Sequence, residues 1–213
     1  MHHRARYLIQ GCSLIIFALL ASTAWANSLT VTSPDGHTTV TVTTLDGKPV
    51  YRVDRHGTPV LDDSRLGLEF QTLANMTSQT RIKGSKAADL DRIWEQPWGE
   101  RRWVRETYNE LLISLERTEK PQLQLDVRFR VFNDGLGFRY EMPAQQGIER
   151  VNVMADLSEF AVADSNKTEA LRIYGEMWNR YEHLYEWVPV DQVQTAATPI
   201  SMRRADGLHI SIH

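Results

Sequence analysis

From Leu29 onward, apolar and polar positions alternate with period two and turn signals recur at short intervals. That pattern predicts antiparallel strands that each bury one face. Pro34-Asp35-Gly36 separates residues 29–32 from a Thr/Val run at 38–43, and Asp46-Gly47-Lys48 separates that run from 50–53, so the chain opens as a meander of hairpins. Leu66, Leu68 and Phe70 share one face of a further short strand, whereas residues 71–91 are polar and carry no usable period. The clearest alternation follows Leu111, Ile113 and Leu115: Leu123, Leu125, Val127, Phe129 and Val131 interleave with Gln124, Asp126, Arg128 and Arg130. Asn133-Asp134-Gly135 then reverses the chain into Phe138-Arg139-Tyr140. Three consecutive strands of this kind pair with one face inward, and each large side chain on it contributes on the order of 1.5–3 kcal/mol before entropy is subtracted. Tyr181, Leu184, Tyr185 and Val188 fit a helical face that Pro189 ends. Residues 208–213 alternate again and stop in mid-pattern, which predicts that the chain is the N-terminal part of a longer protein.

Composition narrows the class. The chain has 213 residues, 42% of them apolar and 24% charged, enough for one domain with a sizeable core and a poor match to disorder or coiled coil. Residues 1–26 read as an export signal: Arg4 and Arg6 precede the apolar run from Leu14 to Ala21, and Ala24-Trp25-Ala26 is a cleavage site. The predicted mature domain is therefore 27–213, exported and, in a bacterium, periplasmic. A stable membrane anchor is disfavoured because a run this short cannot cross a hydrocarbon core that needs about 20 residues. The single cysteine, Cys12, lies inside the signal, so the mature chain has no thiol and no disulfide. Net charge is −3, and the mature part is more acidic still, which argues against a nucleic-acid partner.

Motifs for phosphate, dinucleotide or nucleophilic chemistry are absent, and Gly135-Leu136-Gly137 reads as part of a hairpin. Two aromatic segments hold the chemistry that remains. Trp94, Trp98 and Trp103, set among charges and a proline, form either a sugar-stacking surface or a loop whose rings cover one end of a sandwich. Arg101, Arg102 and Arg105 beside them read as solvated or paired with Glu100 and Glu106. Between Trp178 and Trp187, Glu182 and Glu186 lie four residues apart, as solvated surface acids or as part of a site for a hard cation. Two glutamates fall short of the six to eight oxygens calcium takes, so other ligands would be required. His183 reads as a surface or interface histidine, and His209 and His213, on one face of the terminal strand, as a frayed end or, alternatively, a metal-binding pair.

The segments 98–110, 129–140 and 181–185, in that order behind an export signal, resemble the N-terminal domain of glycoside hydrolase family 97; Asn-Asp-Gly-x-Gly-Phe-Arg-Tyr is the most specific part. The resemblance implies an all-β fold, a supersandwich of mostly antiparallel strands shaped like galactose mutarotase, with few short helices. It implies a following (β/α)₈ catalytic barrel that holds the hydrolytic carboxylates and acts on α-linked oligosaccharides. It further implies a calcium ion shared between the two halves, with Glu182 as the matching ligand and Glu186 as the fallback. Trp94, Trp98, Trp178 and Trp187 become candidates for the substrate pocket wall or the interface with the barrel. The alternative from another class is a free-standing carbohydrate-binding module. A sandwich acting on sugars unaided is a third reading, which would need a glutamate and a histidine in one cleft.

Overall fold

The computed structural model describes residues 28–173 and 182–213. The segment read as an export signal, Trp178 and Tyr181 lie outside the described residues. Four strands, β1 (Leu29–Thr32), β2 (Thr38–Leu45), β3 (Lys48–Arg55) and β4 (Thr58–Arg65), form the first sheet as an antiparallel meander. Its two-residue turns, Asp46-Gly47 and His56-Gly57, have positive φ throughout (49°, 73°, 51° and 74°). That is the mirror-image turn whose twist suits a tight hairpin. Gly47 is doubly constrained, because a Cβ there would also meet the backbone nitrogen of Gln79 at 3.2 Å.

After the short β5 (Leu68–Phe70), strands β6 (Thr80–Glu95), β7 (Trp103–Arg117), β8 (Gln124–Val131) and β9 (Leu136–Glu141) form the second sheet in chain order. β10 (Val153–Asp156) pairs with β5. The third sheet takes β11 (Thr168–Arg172), β12 (Glu186–Pro189), β13 (Ile200–Arg204) and β14 (His209–Ile212) in the order β12-β11-β13-β14. Helix is confined, among the described residues, to single 3₁₀ turns at Ser165–Lys167 and Val190–Gln192. None of it is long and apolar enough to cross a membrane. The fold is thus all-β and antiparallel, as the period-two pattern requires.

The core lies between the inner faces of the first two sheets. Val40, Val42, Tyr51 and Val53 meet Ile113, Leu115, Leu125, Val127, Phe129 and Val131, all buried. At its centre the Tyr51 ring lies 5.7 Å from Phe129 and 5.4 Å from Phe138. Its hydroxyl donates to the Glu159 carbonyl at 2.7 Å, which fastens the segment before the third sheet to the sandwich. The polar alternates of β7, β8 and β9 point outward and neutralise one another: Arg128 bonds Glu110 and Glu141, Arg130 bonds Glu110, and Arg139 bonds Glu141.

One end of the sandwich roots both elements that carry the described candidate residues. There the β1–β2 turn meets the β8–β9 turn: Asp35 donates its N–H to Asn133 Oδ1 at 3.0 Å, and Arg55 Nη1 donates to the Asn133 carbonyl at 3.1 Å. The pairing of β7 with β8 stops at this end, at Asn109↔Val131, yet β6 and β7 run on together from Leu90↔Tyr108 to Glu95↔Trp103. These six rungs form a two-stranded ribbon that carries the chain about 20 Å past the sandwich. The third sheet is tied to the same end, where Arg204 Nη1 donates to the Pro59 carbonyl at 2.6 Å, just after the His56-Gly57 turn.

Two sequence expectations need correction, and one strand carried no signal. Residues 71–91 include most of β6, which shows no period because it is an edge strand whose ribbon half is solvated on both faces. β4 had no strand signal, since Pro59 and the pair Asp62-Asp63 interrupt its apolar positions. The helical face expected at 181–188 is not a helix where it is described: residues 182–185 are irregular and Glu186–Pro189 is a strand. Pro189 is accommodated because β12 is an edge, where one missing N–H is tolerated.

The outer ion pairs set an acid limit on stability. Hydrogen bonds from Arg128 hold the Glu141 carboxyl down at about 2, against 4.5 for the free group. A carboxylate depressed on folding stabilises the protein above its unfolded value and loses that contribution as pH falls through the folded one. The urea midpoint should therefore fall between about pH 4.5 and about pH 2. Arg128→Gln should lower the midpoint at neutral pH and flatten this acid slope, as read by denaturation series across that range.

Candidate functional site

The residues singled out in the sequence sit on two projections from the same end of the sandwich. On the third sheet the register reads Trp187–Leu171–Ser201–Ser211 on one rung and Pro189–Glu169–Arg203–His209 two rungs along, so these side chains share the outer face. Val188, Ala170, Met202 and Ile210, on the rung between, turn inward, and Ala170 and Met202 are buried. Trp187 is 47% exposed. Arg203 lies over its ring at 4.1 Å from the centroid and is held there by Glu169 at 2.8 Å. A guanidinium over an indole face is a favourable pair, and it occupies the surface on which a sugar would stack.

Glu186 and Glu182 separate here. Glu186 belongs to β12 and accepts a hydrogen bond from Arg172 Nη2 at 3.0 Å, so a guanidinium already answers its charge. Glu182 lies in the irregular stretch ahead of β12, is exposed, and has no ion pair among the described residues. The spacing of four that would align them on a helix has no meaning in this backbone. Beside them Leu184 is 88% exposed and Tyr185 is also exposed. Sequence reasoning passed over Arg172 and Arg203; the only signal for either was a basic residue alternating with apolar ones. His209 lies on the outer face of β14 and His213 beyond its end. Among the described residues no three His, Cys, Asp or Glu side chains gather as a metal-holding group. The donor set present suits calcium only as a contributor of one carboxylate to a shared site.

The second projection is the ribbon. Trp94 and Trp103 lie on adjacent rungs and so on opposite faces, and Trp98 sits in the connection at the tip, 81% exposed. The tryptophans do not cover an end of the sandwich; they extend beyond it. Two of the three arginines are paired, but with other partners than Glu100 and Glu106: Arg105 with Asp91 and Arg102 with Glu95, while Glu106 holds Arg92 and Arg101 is exposed. Trp94 and Trp98 are carried by a different sheet from Trp187. A cleft of about 470 Å³ lies elsewhere, lined by residues that include Lys48, Arg65, Ser158 and Glu159, and contains none of these candidates.

The family described as Glycosyl-hydrolase 97 N-terminal matches residues 31–213. A solved glycoside hydrolase family 97 enzyme from Pseudoalteromonas sp., in complex with panose, is 34% identical with a TM-score of 0.82, covering 87% of this chain and 28% of its own. The same enzyme in complex with acarbose matches equally well. A curated retaining alpha-galactosidase from Bacteroides thetaiotaomicron is 23% identical over 149 residues, 70% of this chain and 20% of that protein. The chain thus spans less than a third of the length of these relatives.

Removing the guanidinium should uncover the indole on the third sheet. Arg203→Ala is expected to shift Trp187 emission to the red and raise its acrylamide quenching. The stability cost should be about 0.5–1 kcal/mol, measured by urea denaturation.

Proposed function

The chain belongs to the Glycosyl-hydrolase 97 N-terminal family, and on that premise we propose that it is the N-terminal domain of an exported, calcium-dependent α-glycosidase whose hydrolytic carboxylates reside on a C-terminal (β/α)₈ barrel. The observation that carries the proposal is the family match over 31–213 together with a chain that spans only 28% of a solved relative. Relatives solved with panose and with acarbose support an α-linked oligosaccharide as the substrate class.

Hydrolysis divides between the halves. A carboxylic acid of the barrel protonates the glycosidic oxygen, and a second carboxylate activates water or attacks as nucleophile. This domain contributes the Glu182 carboxylate to a calcium site completed by the barrel, and the exposed segment from Glu182 to Trp187 as a wall of the pocket. Calcium, if held by Glu182 with ligands from the barrel, would supply positive charge to stabilise charge that develops during hydrolysis. Glu182 suits the role because it is exposed and its charge is unanswered among the described residues, whereas Arg172 already neutralises Glu186. The export signal at 1–26 is consistent with action outside the cytoplasm.

In the full-length protein, Glu182→Gln should raise the calcium concentration needed for half-maximal hydrolysis by at least about tenfold. Glu186→Gln should leave that concentration unchanged and cost at most about 1 kcal/mol through the lost exposed pair. A Glu182→Gln enzyme with the wild-type calcium response would remove Glu182 from the site.

A further inference from the structure

At its open end the β2–β3 hairpin runs one rung past its last ladder pair, Thr38↔Arg55, and on that rung two imidazoles stand opposite each other. The His56 N–H donates to the His37 carbonyl at 2.7 Å, so the register holds through the rung. Directly opposed residues of antiparallel strands share one face, and here the two rings lie with centroids 4.3 Å apart, tilted by 42°. Thr38 turns into the core, which leaves His37 on the outer face. Both rings reach solvent: His56 is exposed, and the His37 side chain is 51% exposed. Core packing therefore does not account for the pair.

The surroundings orient one ring. His37 Nδ1 lies 3.2 Å from Asp35 Oδ2, and a carboxylate only accepts, so neutral His37 carries its proton on Nδ1 and its lone pair on Nε2. That carboxylate is itself held: its Oδ1 accepts from the Ser33 hydroxyl at 2.5 Å and from the His37 N–H at 3.0 Å, while the Asp35 N–H donates to Asn133. A carboxylate behind the second ring nitrogen is the common support of an imidazole that ligates a metal. Two rungs along the same face, at Thr39↔Asp54, Asp54 adds a carboxylate with no ion pair among the described residues. Arg55 is turned away, its Nη1 on the Thr38 hydroxyl and the Asn133 carbonyl. Zinc binds imidazole nitrogen at about 2.0–2.1 Å, and copper(II) and nickel(II) also suit imidazole, so two nitrogens sharing such an ion lie at most about 4 Å apart. Rings with centroids 4.3 Å apart meet that limit by rotation of their side chains, with the backbone fixed. We infer that His37 and His56 form a site for a late first-row divalent transition ion, with Asp35 as the positioning residue. No three such side chains gather among the described residues, so water fills the remaining positions. Calcium takes oxygen ligands, which makes this site independent of the one assigned to Glu182.

The test uses the full-length protein, saturated with calcium and purified without a histidine tag. It carries His2→Ala and His3→Ala, so that the terminal imidazoles do not contribute. Copper(II) is the probe, because it binds a given donor set most tightly in the divalent series. Calorimetric titration should show one equivalent bound, and electron paramagnetic resonance should show two imidazole nitrogens on the ion. His37→Ala and His56→Asn should each leave one such nitrogen and weaken binding at least about tenfold. Asparagine is chosen because His56 has φ 51°, which it tolerates. Asp35→Asn keeps the oxygen that holds the turn and should weaken binding about tenfold. Melting temperatures of the metal-free variants separate loss of the site from loss of the fold. A wild type that binds no equivalent, or an equivalent that survives His37→Ala or His56→Asn, overturns the site. Loss of the equivalent in His209→Ala instead would move the ion to the third sheet, and wild-type binding by Asp35→Asn would remove Asp35 from its role.

Discussion

Tyr51 is the residue through which the sandwich and its appendages are joined. Its ring packs against the adjoining Phe129 and Phe138 of the facing sheet, so the two sheets cannot part without opening the aromatic centre. Burial pushes its phenol well above the ordinary range, and the proton it keeps goes to the Glu159 carbonyl. From there the backbone runs beside β4, through Ala161 and Ala163, into the third sheet. Arg65 grips the Glu159 side chain from the edge of the first sheet. The start of the third sheet, at β11, is thus referred to a hydroxyl in the core.

The two faces of the second sheet are built on different physics. Inward, Leu111, Ile113, Leu125, Val127 and Phe129 are buried without polar partners to satisfy. Outward, Arg128 stands between Glu110 and Glu141 in a chain of alternating charges, with Arg130 also over the Tyr108 ring at 4.6 Å. Such a surface is content with water, and most exposed large apolar side chains lie elsewhere: on the ribbon, on and after β10 at Val153, Met154, Leu157 and Phe160, and on the outer rim of the third sheet. Trp98, Trp103 and Leu184 stand out because the neighbouring surface is so thoroughly paired.

How far the chain could be read without coordinates follows from which faces are buried. Where one face is covered, as in β8 and β9, alternation placed the strands within a residue or two of their observed ends, and of β7 it marked the covered stretch around Leu111–Leu115 but not the part reaching back to Trp103. Where neither face is covered, as in distal β6, nothing in the residue order marks a strand, because solvent accepts any polar sequence. The 181–188 segment failed for another reason: two tyrosines, a leucine and a valine at helical intervals imitate an amphipathic helix, yet Tyr185 and Leu184 are exposed, so no burial enforced that period. Of the candidate residues, Glu182 and Trp187 fell on an accessible surface, but the partners that distinguish Glu182 from Glu186, Arg172 above all, became visible only through cross-strand register. Trp94 and Trp98 were legible as unusual and misplaced as to setting.

Gly47 shows how narrowly such a scaffold can be specified at one atom. Its carbonyl accepts from the Thr80 N–H at 2.9 Å and from the Thr80 hydroxyl at 3.0 Å, so the tip of one hairpin is the anchorage for the start of the long β6 strand. The backbone there requires positive φ, and the space above it is already taken by Gln79. A hydrogen atom is the whole of the side chain this junction admits, and the alignment of the two sheets, with the angle at which the ribbon leaves them, is inherited from that vacancy.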